Sequence, residues 1–178
     1  MRPSNRSRIL EAAIRIIDRD GMTALTFDAV AAESDLTRGR VIYHFESREA
    51  LVLAIHQHVA ELWEAELVAG LQGVDPADAT AEQRLLAYVR ACAQPPQRAH
   101  VRLALEPTPE SQAVWRPIYQ AWLPDDDQAG GERTRGLTLA RLAADGLWLH
   151  EALAADPMSQ AQREEAVQAI EALVRDST

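Results

Sequence analysis

The fold is decided by residues 26–48, which read Thr-Phe-Asp-Ala-Val-Ala-Ala-Glu-Ser-Asp-Leu-Thr-Arg-Gly-Arg-Val-Ile-Tyr-His-Phe-Glu-Ser-Arg. Phe27, Val30 and Ala31 lie at positions i, i+3 and i+4, which is the spacing of one apolar helix face. Thr26 precedes them, and a threonine at that place caps a helix by accepting a hydrogen bond from a free N–H group. The stretch therefore begins with a short helix.

A tight turn and a second short helix follow the first. Asp35 is expected in the turn, because aspartate is one of the few non-glycine residues that tolerates a left-handed backbone. Thr37 is placed to cap the second helix, which carries Arg38 and Arg40 in its first turn. The two short helices are joined by a tight turn, and the second carries cationic side chains. This second helix is suited to enter the major groove of DNA.

With the residues before it, this stretch resembles the DNA-binding domain of the TetR family of bacterial repressors. The resemblance covers roughly residues 5–58, about a third of the chain, and it is specific because several motifs occur together. The chain departs from the family pattern at Asp35, Arg40 and Ile42, where the family often has a glycine, a small polar residue and an aromatic residue. The matching residues are Arg8–Ala13, Gly21, Thr26, Val30–Ala31, Leu36–Gly39, Tyr43–Phe45 and Ser47–Leu51.

The resemblance assigns roles to the second short helix and its surroundings. It implies that Arg40 reads a base and that Gly39 lets the backbone approach the DNA closely. It also implies that Tyr43, His44 and Arg48 hold phosphates, and that Thr26 and Thr37 could do so in addition to capping their helices. The alternative is that these side chains form only the solvated surface of a helical protein. The predicted DNA-binding residues are Thr26, Thr37, Arg38, Gly39, Arg40, Tyr43, His44 and Arg48.

The charge distribution is compatible with DNA binding although the net charge is −9. Residues 1–50 carry eight arginines and eight carboxylates, whereas the remaining residues carry ten arginines and nineteen carboxylates. The acidity therefore belongs to the part that has no need to touch DNA. The chain has no lysine, and we expect a local cationic patch from the arginines at positions 2, 6, 8, 38, 40 and 48.

The remaining sequence predicts an all-α protein of about nine helices, with no candidate β-strand. The predicted DNA-binding domain, residues 1–47, is a three-helix helix-turn-helix domain. The predicted ligand-binding and dimerisation domain covers residues 48–178, and its first helix, from Arg48 to about residue 69, connects the two. Further helices are predicted at about residues 81–93, 97–105, 109–123, 133–154 and 160–175.

The helix predicted over residues 133–154 is apolar on nearly every side. A helix with so little polar surface is buried on two sides. We therefore expect it to pair, together with the helix at 160–175, with the same helices of a second copy. This predicts a homodimer with an isologous four-helix interface. The apolar residues are Leu137, Leu139, Ala140, Leu142, Ala143, Leu147, Trp148, Leu149 and Leu153.

Aromatic residues beyond position 60 suggest a cavity for a small hydrophobic effector. Three of them lie at i, i+4 and i+7 on one helix, although packing in the core is an alternative explanation for any single ring. The carboxylates Glu61, Glu64, Glu106, Asp145 and Glu151 are candidates to favour a cationic ligand, but the simpler explanation is a solvated surface. The predicted ligand-binding residues are Trp63, Tyr88, His100, Trp115, Tyr119, Trp122 and Trp148.

Other functions receive little support from the sequence. It contains no nucleophile elbow, phosphate-binding loop or paired-carboxylate motif, so we expect no enzyme and no cofactor. His56 and His58 are two residues apart and point to different helix faces, so no metal site is predicted. A single cysteine and the lack of a long apolar run predict a cytoplasmic protein without a membrane segment. We therefore expect a ligand-responsive DNA-binding repressor; the alternatives are a constitutive regulator without inducer and a helical interaction or carrier protein that does not bind DNA.

Overall fold

A computed structural model describes residues 4–94, 98–123 and 132–177 of the chain. Within these ranges all regular structure is helical, which confirms the predicted all-α class. A single 3-10 turn, Met22–Ala24, follows the first helix. The helices are α1 (Asn5–Asp20), α2 (Phe27–Ser34), α3 (Arg38–His44), α4 (Arg48–Gly70), α5 (Ala81–Cys92), α6 (Arg98–Leu105), α7 (Pro109–Trp122), α8 (Glu132–Leu153) and α9 (Gln160–Asp176).

Helix starts are fixed by side chains that cap the first turn. Thr80 and Gln83 form a reciprocal pair at the start of α5, with the Gln83 N–H donating to the Thr80 hydroxyl at 3.2 Å and the Thr80 N–H donating to the Gln83 amide oxygen at 2.8 Å. Ser159 and Gln162 form the same arrangement at the start of α9. Each pair satisfies N–H groups that have no partner inside the helix.

The helices divide into two compact units. The first unit spans Met1–Glu61 and Gln97–Val114, and the second spans Leu62–Pro96 and Trp115–Thr178. Two of the three boundaries fall inside α4 and inside α7, so both of these helices contribute to both units. The predicted functional boundary at residues 47 and 48 stays a prediction, because a compact unit is defined by packing and not by function.

The core of the first unit lies where α1 packs against α2 and α6. Its fully buried side chains include those of Ile9, Leu10, Ile16 and Ile17 on α1. α6 is attached to the end of α1 by polar contacts, since the Ala99 N–H donates to the Asp18 carboxylate at 3.0 Å. The Arg102 guanidinium donates to the Ile17 carbonyl in the same region.

The core of the second unit is built by α5, α8 and α9, which pack against one another. α4 approaches α5 closely at Gly70, where a Cβ atom would lie 3.0 Å from the Cα and carbonyl oxygen of Ala87. The Gly70 carbonyl also accepts a hydrogen bond from Arg90 at 3.0 Å. The buried residues of this core include Leu67, Leu85, Val89, Cys92, Leu137, Ala140, Leu147, Ile170 and Val174.

Across the described ranges, no helix is both long enough and apolar enough to cross a membrane.

Candidate DNA-binding and ligand-binding sites

The helix-turn-helix is formed by α2, α3 and the turn between them. The Thr26 hydroxyl accepts a hydrogen bond from the Ala29 N–H at 3.1 Å and caps α2. Asp35 then adopts φ 54° and ψ 46°, the left-handed conformation that ends α2. The Thr37 hydroxyl accepts from the Arg40 N–H at 3.2 Å and caps α3. Both predicted caps and the predicted turn residue therefore occupy their expected places.

α3 turns most of its side chains away from the protein. Val41 is its one buried side chain, and Phe45, directly after the helix, is also buried. The exposed fraction of Tyr43 is 78%, the highest among the exposed large hydrophobic side chains of the described residues. Among the described residues, a Cβ atom on Gly39 would meet no atom within 4 Å outside its own helix and chain neighbours, so none of them requires a glycine there. An exposed face of this composition indicates a partner outside the chain.

The remaining side chains of α3 make only surface contacts. Arg38 and Arg40 are both exposed. The Arg38 guanidinium lies 3.5 Å from the Asp28 carboxylate, and both side chains are more than 60% exposed. An exposed ion pair of this kind contributes little stability, so Arg38 is available for another partner. The Tyr43 and His44 rings meet edge to face with their centroids 5.3 Å apart.

Arg48 has a role inside the first unit that the sequence did not indicate. Its Nε donates to the Leu25 carbonyl at 3.1 Å, and its Nη2 donates to the Met22 carbonyl at 2.7 Å. These two carbonyls belong to the 3-10 turn and the residue after it, an element for which the sequence carries no strong local signal. The phosphate contact expected for Arg48 stays a prediction, and the side chain must satisfy these carbonyls at the same time.

The expected arginine patch is also partly engaged within the first unit. Arg8 donates from Nη2 to the Ser34 carbonyl, the last of α2, at 2.7 Å. The Arg6 guanidinium lies over the Phe45 ring, 5.6 Å from its centroid, which is a cation–π distance. Arg2 lies outside the described residues. The exposed arginines of α3 itself are therefore the clearest cationic candidates for DNA.

Four of the predicted ligand residues form two aromatic pairs in the second unit. The Trp63 ring meets the Tyr88 ring edge to face, with centroids 6.0 Å apart. The Trp115 and Tyr119 rings stack with an interplanar angle of 24° and centroids 6.1 Å apart. Trp63 and Trp115 are half-buried and Tyr119 is 43% exposed, whereas Tyr88 is buried, so three of the four rings reach the surface and the fourth belongs to the core.

A carboxylate lies among these rings. The Tyr88 hydroxyl donates to Asp145 Oδ1 at 2.5 Å, although the two residues are 57 positions apart. Burial raises the pKa of Tyr88 well above its usual value, and the neighbouring Cys92 and Asp145 raise it further. Partial burial also raises the pKa of Tyr119, and the Asp145 charge adds to this effect. Both phenols therefore remain neutral hydrogen-bond donors beside a half-buried acid.

The other three predicted ligand residues are divided between the two units. Trp122 is buried and Trp148 is half-buried in the second unit. His100 belongs to the first unit, where burial lowers its pKa and the nearby Asp18 charge opposes that shift. Among the described residues its Nε2 atom has no hydrogen-bond partner.

One of the candidate carboxylates has a structural role. The Glu151 side chain is only 2% exposed and forms an ion pair with Arg163 at 2.5 Å. It also accepts a hydrogen bond from the Met158 N–H at 3.1 Å. Glu151 therefore joins the end of α8 to the start of α9, and the expectation of a solvated carboxylate at this position is wrong.

Comparison with known proteins gives matches over both parts of the chain. The model of the bacterial regulatory proteins of the tetR family matches residues 9–55. The model of the tetracyclin repressor-like C-terminal domain matches residues 82–175, which is more than half of the chain. The first match contains the whole helix-turn-helix described above.

Similar proteins carry transcriptional regulator names. The regulator SrpR of Pseudomonas putida is 34% identical over 97 residues, which cover 47% of this chain and 46% of SrpR, so the chain spans about half the length of that relative. The regulator BetI of Burkholderia mallei is 26% identical over 89% of this chain and 87% of BetI. Among solved structures, a regulator from Saccharomonospora viridis in complex with choline has a TM-score of 0.70 at 20% identity, over 96% of this chain and 95% of that one.

The structural likeness shows the same fold, and the family models cover both the DNA-binding part and the larger helical part. The family consists of DNA-binding regulators of transcription and not of enzymes. The chain belongs to the TetR family of bacterial transcriptional regulators.

Proposed function

We propose that this chain is a ligand-responsive repressor that binds a palindromic operator as a homodimer and releases it when a small molecule binds. DNA binding is supported by the exposed face of α3, which carries two arginines. Only one side chain of this helix is buried. We propose that this repressor acts on the chromosome in the cytoplasm. Two alternatives are a regulator that no small molecule releases and a helical carrier that does not bind DNA.

In the proposed complex, α3 lies in the major groove. Arg40 is suited to read guanine, because a guanidinium donates two hydrogen bonds to the O6 and N7 atoms of that base. Arg38, Tyr43 and His44 are suited to hold phosphates, which position the helix without reading sequence. The Thr26 and Thr37 hydroxyls accept capping hydrogen bonds and can still donate one to a phosphate. The open space at Gly39 supports a close approach of the backbone to DNA.

The proposed dimer uses α8 and α9. Leu139, Leu142, Leu149 and Leu153 share one face of α8 and are 40–63% exposed in the single chain. A contiguous apolar strip of this kind is a typical protein interface. A Cβ atom on Gly146, in the middle of the strip, would meet no atom of the described residues within 4 Å outside its own helix and chain neighbours, which supports close approach by another helix. α9 adds the small exposed residues Ala169 and Ala172.

The DNA-binding part is tested by selection from a library of random-sequence duplexes. The wild-type protein is expected to enrich an inverted repeat whose half-sites lie about one helical turn or a small multiple of it apart. Arg116→Ala is a matched control, because Arg116 is an exposed arginine of the second unit, and it should select the same sequence. A wild-type protein that enriches no sequence would contradict the proposal and favour the carrier.

The ligand is proposed to be a hydrophobic organic cation held near Asp145. A half-buried carboxylate beside aromatic rings suits a cation, since the rings attract positive charge and the acid neutralises it. The similar regulator from Saccharomonospora viridis was solved in complex with choline, which supports this class of ligand. Arg141 lies one turn before Asp145 on α8, and its charge opposes the rise in the pKa of Tyr119. A ligand must therefore compete with one fixed positive charge near the site.

The ligand class is tested with two probes of the same shape, benzyltrimethylammonium and its neutral carbon isostere neopentylbenzene. We expect the cation to quench tryptophan fluorescence and to weaken operator binding in the same concentration range. Asp145→Asn retains an acceptor for Tyr88 but removes the charge, and it should weaken the cation at least about tenfold without affecting the neutral probe. Glu165→Gln, an exposed carboxylate of α9, should change neither. Equal binding of both probes would show that the site is apolar and that the charge is irrelevant.

A further inference from the structure

Helix α2 is held at both of its ends by arginine side chains from other elements. At its C-terminal end, Arg8 of α1 donates to the Ser34 carbonyl at 2.7 Å. Before its N-terminal end, Arg48 of α4 donates to the carbonyls of Leu25 and Met22 at 3.1 and 2.7 Å. All of these residues belong to the first unit. Both contacts are charge-assisted hydrogen bonds, which are stronger than those between neutral groups.

The orientation of α3 depends on α2 because α3 has little packing of its own. Within its seven residues only Val41 is buried. α3 begins three residues after Asp35, whose left-handed conformation fixes the turn, so a rotation of α2 is carried directly into α3. The two arginines that hold α2 therefore also set where the exposed face of α3 points.

We propose that Arg8 and Arg48 are positioning residues for operator recognition, which fix α2 and through it the reading helix α3. Arg48 then acts through the Met22 and Leu25 carbonyls and not through a phosphate. This inference rests on the proposed DNA binding of the first unit. It explains why an arginine is used at position 48, since a planar guanidinium bridges two carbonyls in a fixed geometry.

Lysine at position 48 separates a positioning role from a phosphate contact. The lysine ammonium keeps the positive charge but is a point donor on a flexible chain, so it cannot reproduce the two-carbonyl bridge. If Arg48 held a phosphate, lysine would replace it with little loss. If Arg48 positions α2, lysine would behave almost as alanine does.

The experiment uses the full chain, the duplex that the wild-type protein selects from a random library, and a scrambled duplex of equal composition. Affinity is measured by fluorescence anisotropy over a series of salt concentrations. We expect Arg48→Ala and Arg48→Lys each to weaken the selected duplex at least about tenfold and the scrambled duplex less than about threefold, with an unchanged salt slope. Arg8→Ala should show the same pattern, and Arg116→Ala should leave both affinities and the slope unchanged.

A phosphate contact would give different numbers. Arg48→Lys would then bind like the wild type. Arg48→Ala would bind both duplexes equally more weakly, and its salt slope would be lower by about one per protomer. That result would overturn the positioning role. A circular dichroism spectrum like that of the wild type confirms that each variant is folded, and Arg48→Lys preserves the test if Arg48→Ala does not fold.

Amide hydrogen exchange tests the same inference in the absence of DNA. Loss of the bridge should accelerate exchange in α2 and α3 of Arg48→Lys, whereas α5 and α9 should be unaffected. Unchanged exchange in α2 and α3 would overturn the inference. A wild-type protein that selects no duplex would instead contradict the proposed function, and accelerated exchange in Arg48→Lys would still show that Arg48 holds α2.

Discussion

The outward faces of α3 and α8 both expose large side chains, but they differ in chemistry. Both carry large side chains that are exposed, with Tyr43 at 78% on α3 and Leu142 at 59% on α8. Each also contains a helical glycine, Gly39 or Gly146, at which a Cβ atom would meet nothing within 4 Å. The face of α3 is polar and cationic, whereas that of α8 is a strip of leucines.

This difference indicates the kind of partner that each face suits. Neither glycine is required by a close contact with the part of the chain that the structure describes. A glycine inside a helix costs about 1 kcal/mol relative to alanine. Both faces therefore have features that the single chain does not explain. Arginines suit the phosphates and base edges of DNA, and an apolar strip suits a protein partner such as a second copy of the chain.

The largest expected effect is that of a charge placed on the α8 face. Leu142→Arg should convert the proposed dimer to a monomer at micromolar concentration, because a buried unpaired charge is strongly unfavourable. Operator affinity should fall at least about a hundredfold, because two linked DNA-binding units bind an operator roughly that much more tightly than one. Light scattering and anisotropy check the two effects. The control Leu105→Arg alters an exposed leucine of α6 and should remain dimeric; a dimeric Leu142→Arg would place the interface elsewhere.

A smaller effect is expected from filling the open space on α3. Gly39→Ala should leave the thermal unfolding temperature unchanged or slightly raised, because alanine favours helix by up to about 1 kcal/mol. Its affinity for the operator should nevertheless fall about tenfold, since the new methyl group lies on the face that approaches DNA. Unaltered affinity would show that the backbone at Gly39 stays away from the DNA.

The smallest effect is expected from the corresponding change on α8. Gly146→Ala should also preserve the fold, and it should weaken dimerisation by only a few fold, because neighbouring leucines can adjust to one methyl group. Analytical ultracentrifugation over a dilution series measures the dimer dissociation constant. A tighter dimer would show that the space at Gly146 is a gap in the interface and not a point of close approach.

The sequence predicted those features whose signals are local. Thr26 and Thr37 predict the starts of α2 and α3, because a capping side chain bonds the N–H group only three positions later. Asp35 marks the turn for the same reason, since its left-handed conformation is a property of the residue itself. The helix-turn-helix could therefore be predicted almost completely from residues 26–48.

Features that depend on distant residues could not be predicted in this way. The 3-10 turn at Met22–Ala24 is held by Arg48, more than twenty positions later, and no pattern in the sequence links the two. The hydrogen bond between Tyr88 and Asp145 joins two helices that are far apart in the chain. Helical spacing placed Trp122 and Tyr119 near each other on α7, but it does not distinguish the buried tryptophan from the exposed tyrosine.

We claim that the exposed face of α3 reads DNA sequence, and replacement of Arg40 tests this. The measurement is the affinity of wild type and Arg40→Ala for the selected duplex, for scrambled DNA and for each single-base variant of the half-site. We predict a loss of about 1–3 kcal/mol on the selected duplex, with relaxed preference at one base pair per half-site and little change on scrambled DNA. Equal weakening of both duplexes would contradict the claim, because Arg40 would then be a phosphate contact and not the base reader.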